Sequence, residues 1–164
     1  MATTEAEVLQ VLAALTAVGA SPRVAGGWGV DALAGRQTRD HRDLDVMVLA
    51  DRLGSALEAL RDMGYEVSTD WLPVRVEVAA GDRHVDLHPL NPSPDGGSWQ
   101  AGLDGARFDY PAEVWTTGRI GGHDVSCLTA PRQRHLHGGY QHRAEDRHDL
   151  AVLDDVLTAD PSTA

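Results

Sequence analysis

A chain of 164 residues with 42% hydrophobic side chains has the size of one domain and can bury a real core, which excludes global disorder. Its formal net charge of −11 excludes a nucleic-acid groove. No apolar run reaches the ~20 residues of a membrane span, and no basic region with a cleavage site opens the chain, so the cytoplasm is the expected location.

In chain order, Thr3 or Thr4 caps a first helix whose stripe is Val8, Leu9, Val11, Leu12 and Leu15, ending at Gly19. Arg23-Val24-Ala25 reads as a short strand, Gly26-Gly27 as a turn, and Trp28 to Ala34 as a short helix stopped by Gly35. Asp43-Leu44-Asp45 runs into Val46-Met47-Val48-Leu49, a buried strand. Asp51 caps a second helix carrying Leu53, Leu57 and Leu60, with Gly64 as its stop. Strands are expected at Tyr65 to Thr69, Val74 to Ala79 and His84 to Leu87, the last two joined through Ala80-Gly81-Asp82. In the middle strand the valines face one way, and Arg75 and Glu77 the other. Asn91 to Gly105, rich in Pro, Gly and Asp, reads as a loop tied down by Trp99. Arg119 to Leu128 forms a hairpin turning at Gly121-Gly122, Pro131 starts a helix, and Ala144 to Leu157 is the last, with Leu150, Leu153 and Leu157 inward. Cys127 sits in an apparent strand as a buried, inert thiol. Helices and strands in this order give an α/β or α+β fold with helices added at the C-terminal end, one domain over residues 1–160 and a frayed tail at 161–164.

The chemistry concentrates between Gly26 and Asp45. A glycine pair lets the backbone approach a phosphate, because no Cβ intervenes. Alternate strand residues share a face, so Asp43 and Asp45 point together, about 7 Å apart. Two carboxylates on one face at a strand end suit one or two Mg²⁺ ions. Together these features point to phosphate and metal chemistry on a nucleotide. Arg39 and Arg42 can neutralise phosphate charge bidentately. No lysine occurs among the 14 basic residues, so every basic phosphate contact falls to Arg or His.

Gly26-Gly27-Trp28, Asp31, Gly35, Thr38-Arg39, His41 and Asp43-Leu44-Asp45 together resemble the antibiotic nucleotidyltransferases of the polymerase β superfamily. The similarity extends through Trp71-Leu72-Pro73-Val74-Arg75-Val76-Glu77, His84-Val85-Asp86-Leu87-His88-Pro89 and Gly138-Gly139-Tyr140. It leans toward the lincosamide nucleotidyltransferases, with the aminoglycoside 2″-adenylyltransferases next. The resemblance implies a polymerase β-type core of α+β class, a mixed sheet flanked by helices. It implies transfer of AMP, or another NMP, from ATP or another NTP to a hydroxyl of a small antibiotic, with Mg²⁺ as cofactor. Asp43, Asp45 and Asp86 become the catalytic and metal-binding set, with Glu77 as the other candidate for general base. Gly26, Gly27, Trp28, Arg39, Arg42 and Tyr140 become nucleotide contacts; Glu77, His88 and Trp99 become acceptor contacts. Trp28 and Asp31 also read as structural, one a core anchor and the other an organiser of the arginine loop. Trp71, Trp99 and Trp115 are candidates for an apolar wall facing a sugar-bearing antibiotic. The resemblance allows a homodimer in which a second subunit completes the acceptor site.

Other classes remain open on sequence. His84, Asp86 and His88 alternate on one strand face, and His148-Asp149 lies on the last helix, a pattern compatible with a metal-dependent phosphohydrolase. A non-catalytic or toxin–antitoxin protein that kept the fold is the third possibility.

Overall fold

The computed structural model describes residues 3–137 and 143–159. The expected tail at 161–164 lies outside them, as do Gly138, Gly139 and Tyr140. Helix α1 (Glu5–Ala17) opens on a capping box in which Thr4 and Glu7 satisfy each other's backbone N–H groups. It is followed by β1 (Arg23–Val24), α2 (Gly26–Ala34), β2 (Asp43–Leu49), a 3₁₀ turn (Ala50–Arg52) and α3 (Leu53–Asp62). Then come β3 (Glu66–Trp71), β4 (Arg75–Ala80), β5 (Arg83–Pro92), β6 (Ser98–Ala101), β7 (Arg107–Tyr110), β8 (Trp115–Ile120) and β9 (His123–Leu128). Helices α4 (Ala130–His137) and α5 (Ala144–Ala159) complete the order.

The strands run β3-β4-β5-β2-β1-β9-β8, with β6 pairing the end of β5 and β7 pairing β6. β2 lies parallel to β5, and β1 parallel to β9; the other pairs are antiparallel. The mixed sheet with flanking helices is the expected α+β architecture.

Period-two alternation divides the sheet between core and site. Leu44, Val46 and Val48 of β2, Val76 and Val78 of β4, and Val85 and Leu87 of β5 enter the main core with Val8, Val11 and Leu15 of α1 and Ala56 and Leu60 of α3. Each such fully buried side chain contributes about 1.5–3 kcal/mol. The intervening residues, Asp43 and Asp45, Arg75 and Glu77, and His84, Asp86 and His88, therefore occupy the opposite face. The core thus fixes the direction of every candidate side chain on these strands.

Three expectations change. Asp51 does not cap α3: it sits in the 3₁₀ turn, and the α3 N-cap is Arg52 with no side-chain bond. The glycine pair does not precede α2 but forms its first turn. The stretch from Asn91 to Gly105 is not a loop throughout, because the end of β5 and all of β6 lie in it, paired at Asn91 with Trp99 and Pro92 with Ser98. Cys127 is fully buried, and burial pushes its thiol up to about 11, so it is inert at neutral pH.

Candidate active site

The parallel register of β2 and β5 sets Asp45 directly beside Asp86, with Asp43 beside His84 and Met47 beside His88. One ligating atom from each of Asp45, Asp86 and His88 lies within 4.8 Å of the other two. His84 and Asp43 stand outside that group. Asp43 is partly exposed and faces Arg42 at 3.6 Å, while the Arg42 side chain is largely in solvent.

Asp45 reaches the start of α2. Gly26 has φ +58, and a Cβ there would lie 2.2 Å from Asp45 Oδ2. Only glycine tolerates both the left-handed backbone and that approach. A Cβ on Gly27 would meet the His41 ring at 2.4 Å and Arg39 at 2.5 Å. Ala25, the α2 N-cap, offers no side-chain bond, so the first-turn N–H groups of α2 have no side-chain cap. Ala25, Gly26, Asp45, His88, Gln100, Tyr110, Gln133 and His137 line a cavity of about 350 Å³, with Met47, Phe108 and Leu136 as its apolar part.

The two central carboxylates differ in their electrostatics. Burial pushes the Asp45 carboxyl up, but the His88 hydrogen bond and the charges of His88 and Arg75 outweigh it and hold it below its ordinary value. Burial, and then the negative charges of Asp45 and Glu77, raise Asp86 to about 6 despite Arg75 and His88. Arg75 bridges the acids: Nη1 donates to Asp86 Oδ2 at 2.6 Å, and Nη2 meets Glu77 Oε1 at 2.6 Å. Glu77 also accepts from Thr69 Oγ1 at 2.9 Å. Oxygen donors of like charge, one of them held half-protonated near pH 6, fit a small divalent cation, which would relieve their repulsion.

The remaining candidates divide. The Trp28 side chain is 1% exposed and packs on His41 as a core anchor. Asp31 does organise the arginine loop, accepting from Thr38 Oγ1 at 2.5 Å and pairing with His41 Nε2 at 2.5 Å. Arg39 is bonded through Nε and Nη2 to both oxygens of Asp149 on α5, at 2.8 and 2.7 Å. His148 contacts Thr38, so the His148-Asp149 pair braces the arginine loop and forms no metal cluster with His84, Asp86 and His88. Trp71 and Trp99 line one groove of about 810 Å³, beside the β3–β4 turn and the β6–β7 connection. Trp115 is elsewhere, stacked on Tyr110 at 5.5 Å beneath Arg23. Arg75 lies over the Trp71 ring at 4.6 Å, so one side chain joins this groove to Asp86.

Sequence reasoning missed Gln100 and Tyr110, and it read Asp149 as a metal candidate rather than as the partner of Arg39. Gln100 and Tyr110 lie on β6 and β7; β6 pairs with the end of β5, and β7 pairs with β6. Gln133 is 1% exposed on α4, and its Nε2 donates to Gly26 O at 3.5 Å.

Five similarities relate this chain to known proteins. A family model described as aminoglycoside-2″-adenylyltransferase matches residues 7–153. A lincosamide resistance protein of Staphylococcus haemolyticus is 30% identical over 132 residues, 80% of this chain and 82% of that protein. A 2″-aminoglycoside nucleotidyltransferase of Klebsiella pneumoniae is 34% identical over 90 residues, 54% of this chain and 50% of that one. Among solved structures, the lincomycin-bound crystal structure of the lincosamide antibiotic adenylyltransferase LnuA superposes with a TM-score of 0.87 at 28% identity, covering 95% of this chain and 99% of that chain. The aminoglycoside enzyme ANT(2″)-Ia, in complex with adenylyl-2″-tobramycin, gives 0.71 at 20% identity, over 94% of this chain and 90% of that one, a likeness of fold.

Proposed function

The chain belongs to the aminoglycoside-2″-adenylyltransferase family, and from that membership we propose that it transfers AMP from ATP to a hydroxyl of a lincosamide-type antibiotic. The observation that carries this reading is the convergence of Asp45 and Asp86 beside the uncapped glycine start of α2. The Staphylococcus haemolyticus relative and the LnuA likeness, which run over most of both chains, favour a lincosamide over an aminoglycoside.

The roles follow from position. The first-turn N–H groups at Gly26 and Gly27 receive triphosphate oxygens, as helix starts do for anions. Asp43 and Asp45, with Asp86, hold one or two Mg²⁺ ions, which would supply charge neutralisation at the α-phosphorus and a more acidic acceptor hydroxyl. Asp86, raised to about 6, takes the proton of the acceptor hydroxyl as general base. Arg75 holds the Asp86 carboxylate in place, and Glu77 holds Arg75, which favours Asp86 over Glu77 as the base. Arg39 serves by fixing the loop before β2, and Arg42, extended into solvent, is the arginine available to the β and γ phosphates. Trp71 and Trp99 offer the acceptor an apolar wall.

An aminoglycoside acceptor is the second reading, favoured by the family description and by the net charge of −11. The test is mass spectrometry of a mixed lincosamide and aminoglycoside panel incubated with each NTP and Mg²⁺. The expected result is one added AMP on a lincosamide; adduct on aminoglycosides alone selects the second reading, and no adduct on either class overturns both.

A further inference from the structure

The cavity holds a polar chain running to Asp45 whose Tyr110 and Gln100 no role above has used. Tyr110 Oη donates to Gln100 Oε1 at 3.1 Å. Gln100 Nε2 lies 3.1 Å from His88 Nδ1. His88 Nε2 lies 3.1 Å from Asp45 Oδ1. Tyr110 is 2% exposed and Gln100 8%, so neither exchanges these partners for water.

We infer that Gln100 and Tyr110 are positioning residues that lock His88 as the Nε2–H tautomer, making it a hydrogen-bond donor to Asp45 and barring it from ligating the metal. The polarity of the chain is set at both ends. Gln100 Nε2 also faces Val74 O at 3.5 Å, an atom that can only accept. The amide end facing Val74 is therefore the NH₂ group, and the same NH₂ meets His88 Nδ1. A ring nitrogen facing a donor must be the unprotonated one, so the proton of the neutral ring sits on Nε2. At the far end Asp45 Oδ1, a carboxylate oxygen 3.1 Å from Nε2, accepts that same proton. With the amide oxygen occupied by Tyr110, reversal of Gln100 would set two acceptors against each other at Val74.

The consequence is chemical. A metal ligand needs a lone pair, and Nε2 carries a hydrogen instead. Asp45, Asp86 and His88 cluster closely enough to resemble a mixed nitrogen and oxygen site suited to zinc. The lock removes the nitrogen and leaves a carboxylate site that suits a hard cation. His88 then aims Asp45, as an outer partner orients a ligand. The inference draws its metal from the transferase reading, but its test needs neither antibiotic nor nucleotide, so either can fail alone.

The experiment is ¹⁵N–¹H correlation of the His88 ring in the whole protein, at a pH about two units above the ordinary histidine value of ~6.5. In the wild type, Nδ1 is expected unprotonated and Nε2 protonated, unchanged when Mg²⁺ is added. Gln100→Glu puts an acceptor opposite Nδ1; it is expected to protonate that nitrogen and to raise zinc affinity about 10-fold or more. Tyr110→Phe keeps the ring but frees the amide, and a mixture of His88 states is expected. A protonated Nδ1 in the wild type, or loss of the Nε2 proton on adding Mg²⁺ or Zn²⁺, overturns the inference without any variant having to fold. An unchanged His88 spectrum in a folded Gln100→Glu protein overturns the role of Gln100, and the same result in Tyr110→Phe overturns that of Tyr110.

Discussion

Asp86 has the electrostatics that the proposed base requires. Burial and two neighbouring acids raise it to about 6, while Arg75 keeps it oriented. Asp86→Asn is expected to lower kcat by about 10²–10⁴-fold with little change in nucleotide KM, the signature of a lost proton acceptor. Equal losses in kcat and nucleotide affinity in steady-state assays would make it a plain ligand. The same shift has a cost in stability. An acid whose folded value lies above its unfolded value of ~3.9 binds more protons folded than unfolded. In the metal-free protein stability therefore falls as pH rises from about 4 through 6. Urea unfolding across that window is expected to show a flatter slope in Asp86→Asn. Gly26 is the matching case on the backbone side. Gly26→Ala pays about 1–2 kcal/mol for its left-handed backbone and drives a methyl into the Asp45 carboxylate. Its circular dichroism is expected to stay native while turnover collapses; an active, folded variant would mean that Asp45 does not need the place it has.

At the level of elements, Asp149 ties α5 to the loop before β2, beside the His148 contact with Thr38. Asp149 is 1% exposed and bonded at both oxygens by Arg39, with His137 Nε2 at 3.7 Å. Burial alone would raise it, but the bonds to Arg39 and His137 outweigh burial and hold it at about 2. A depressed acid stabilises the fold above its unfolded value of ~3.9 and loses that contribution as pH falls toward 2, on the order of 2 kcal/mol here. Asp149→Asn is expected to cost about 3 kcal/mol at neutral pH in urea unfolding, because it strands the half-buried Arg39. This tie also shows where sequence reading stops. Strand β2 and its Asp-x-Asp were legible because alternation and an apolar run are local signals, and so was α1, with Thr4 one of its two cap candidates. The partner of Arg39 lies 110 residues away, and no spacing rule reaches it. β6 was illegible for the same reason: Pro, Gly and Asp around it signal a loop, and pairing with β5 and β7 makes it a strand. The glycine pair reads as a turn because turns use glycine constantly, yet it opens α2 because Asp45 leaves no room for a side chain at Gly26, nor His41 and Arg39 at Gly27.

Across the whole molecule, net charge and site geometry act on stability in separable ways. A net charge of −11 gives general self-repulsion, which any salt screens. The β2–β5 face adds a local term, because Asp45, Asp86 and Glu77 are held together by the core behind them and by Arg75 alone between two of them. A cation that binds only the folded face stabilises by mass action, about 1.4 kcal/mol at ten times its dissociation constant. For a chain of this size that is a rise of about 3–6 °C in Tm. Mg²⁺ is therefore expected to raise Tm beyond NaCl of matched ionic strength, because screening does not distinguish the two and specific binding does. Asp45→Asn should abolish the excess while keeping the response to NaCl. Glu66→Gln, an exposed acid at the far edge of the sheet, should keep both. Equal shifts with Mg²⁺ and matched NaCl would mean that the acid face is only part of the general charge, and the metal role assigned to it would fall.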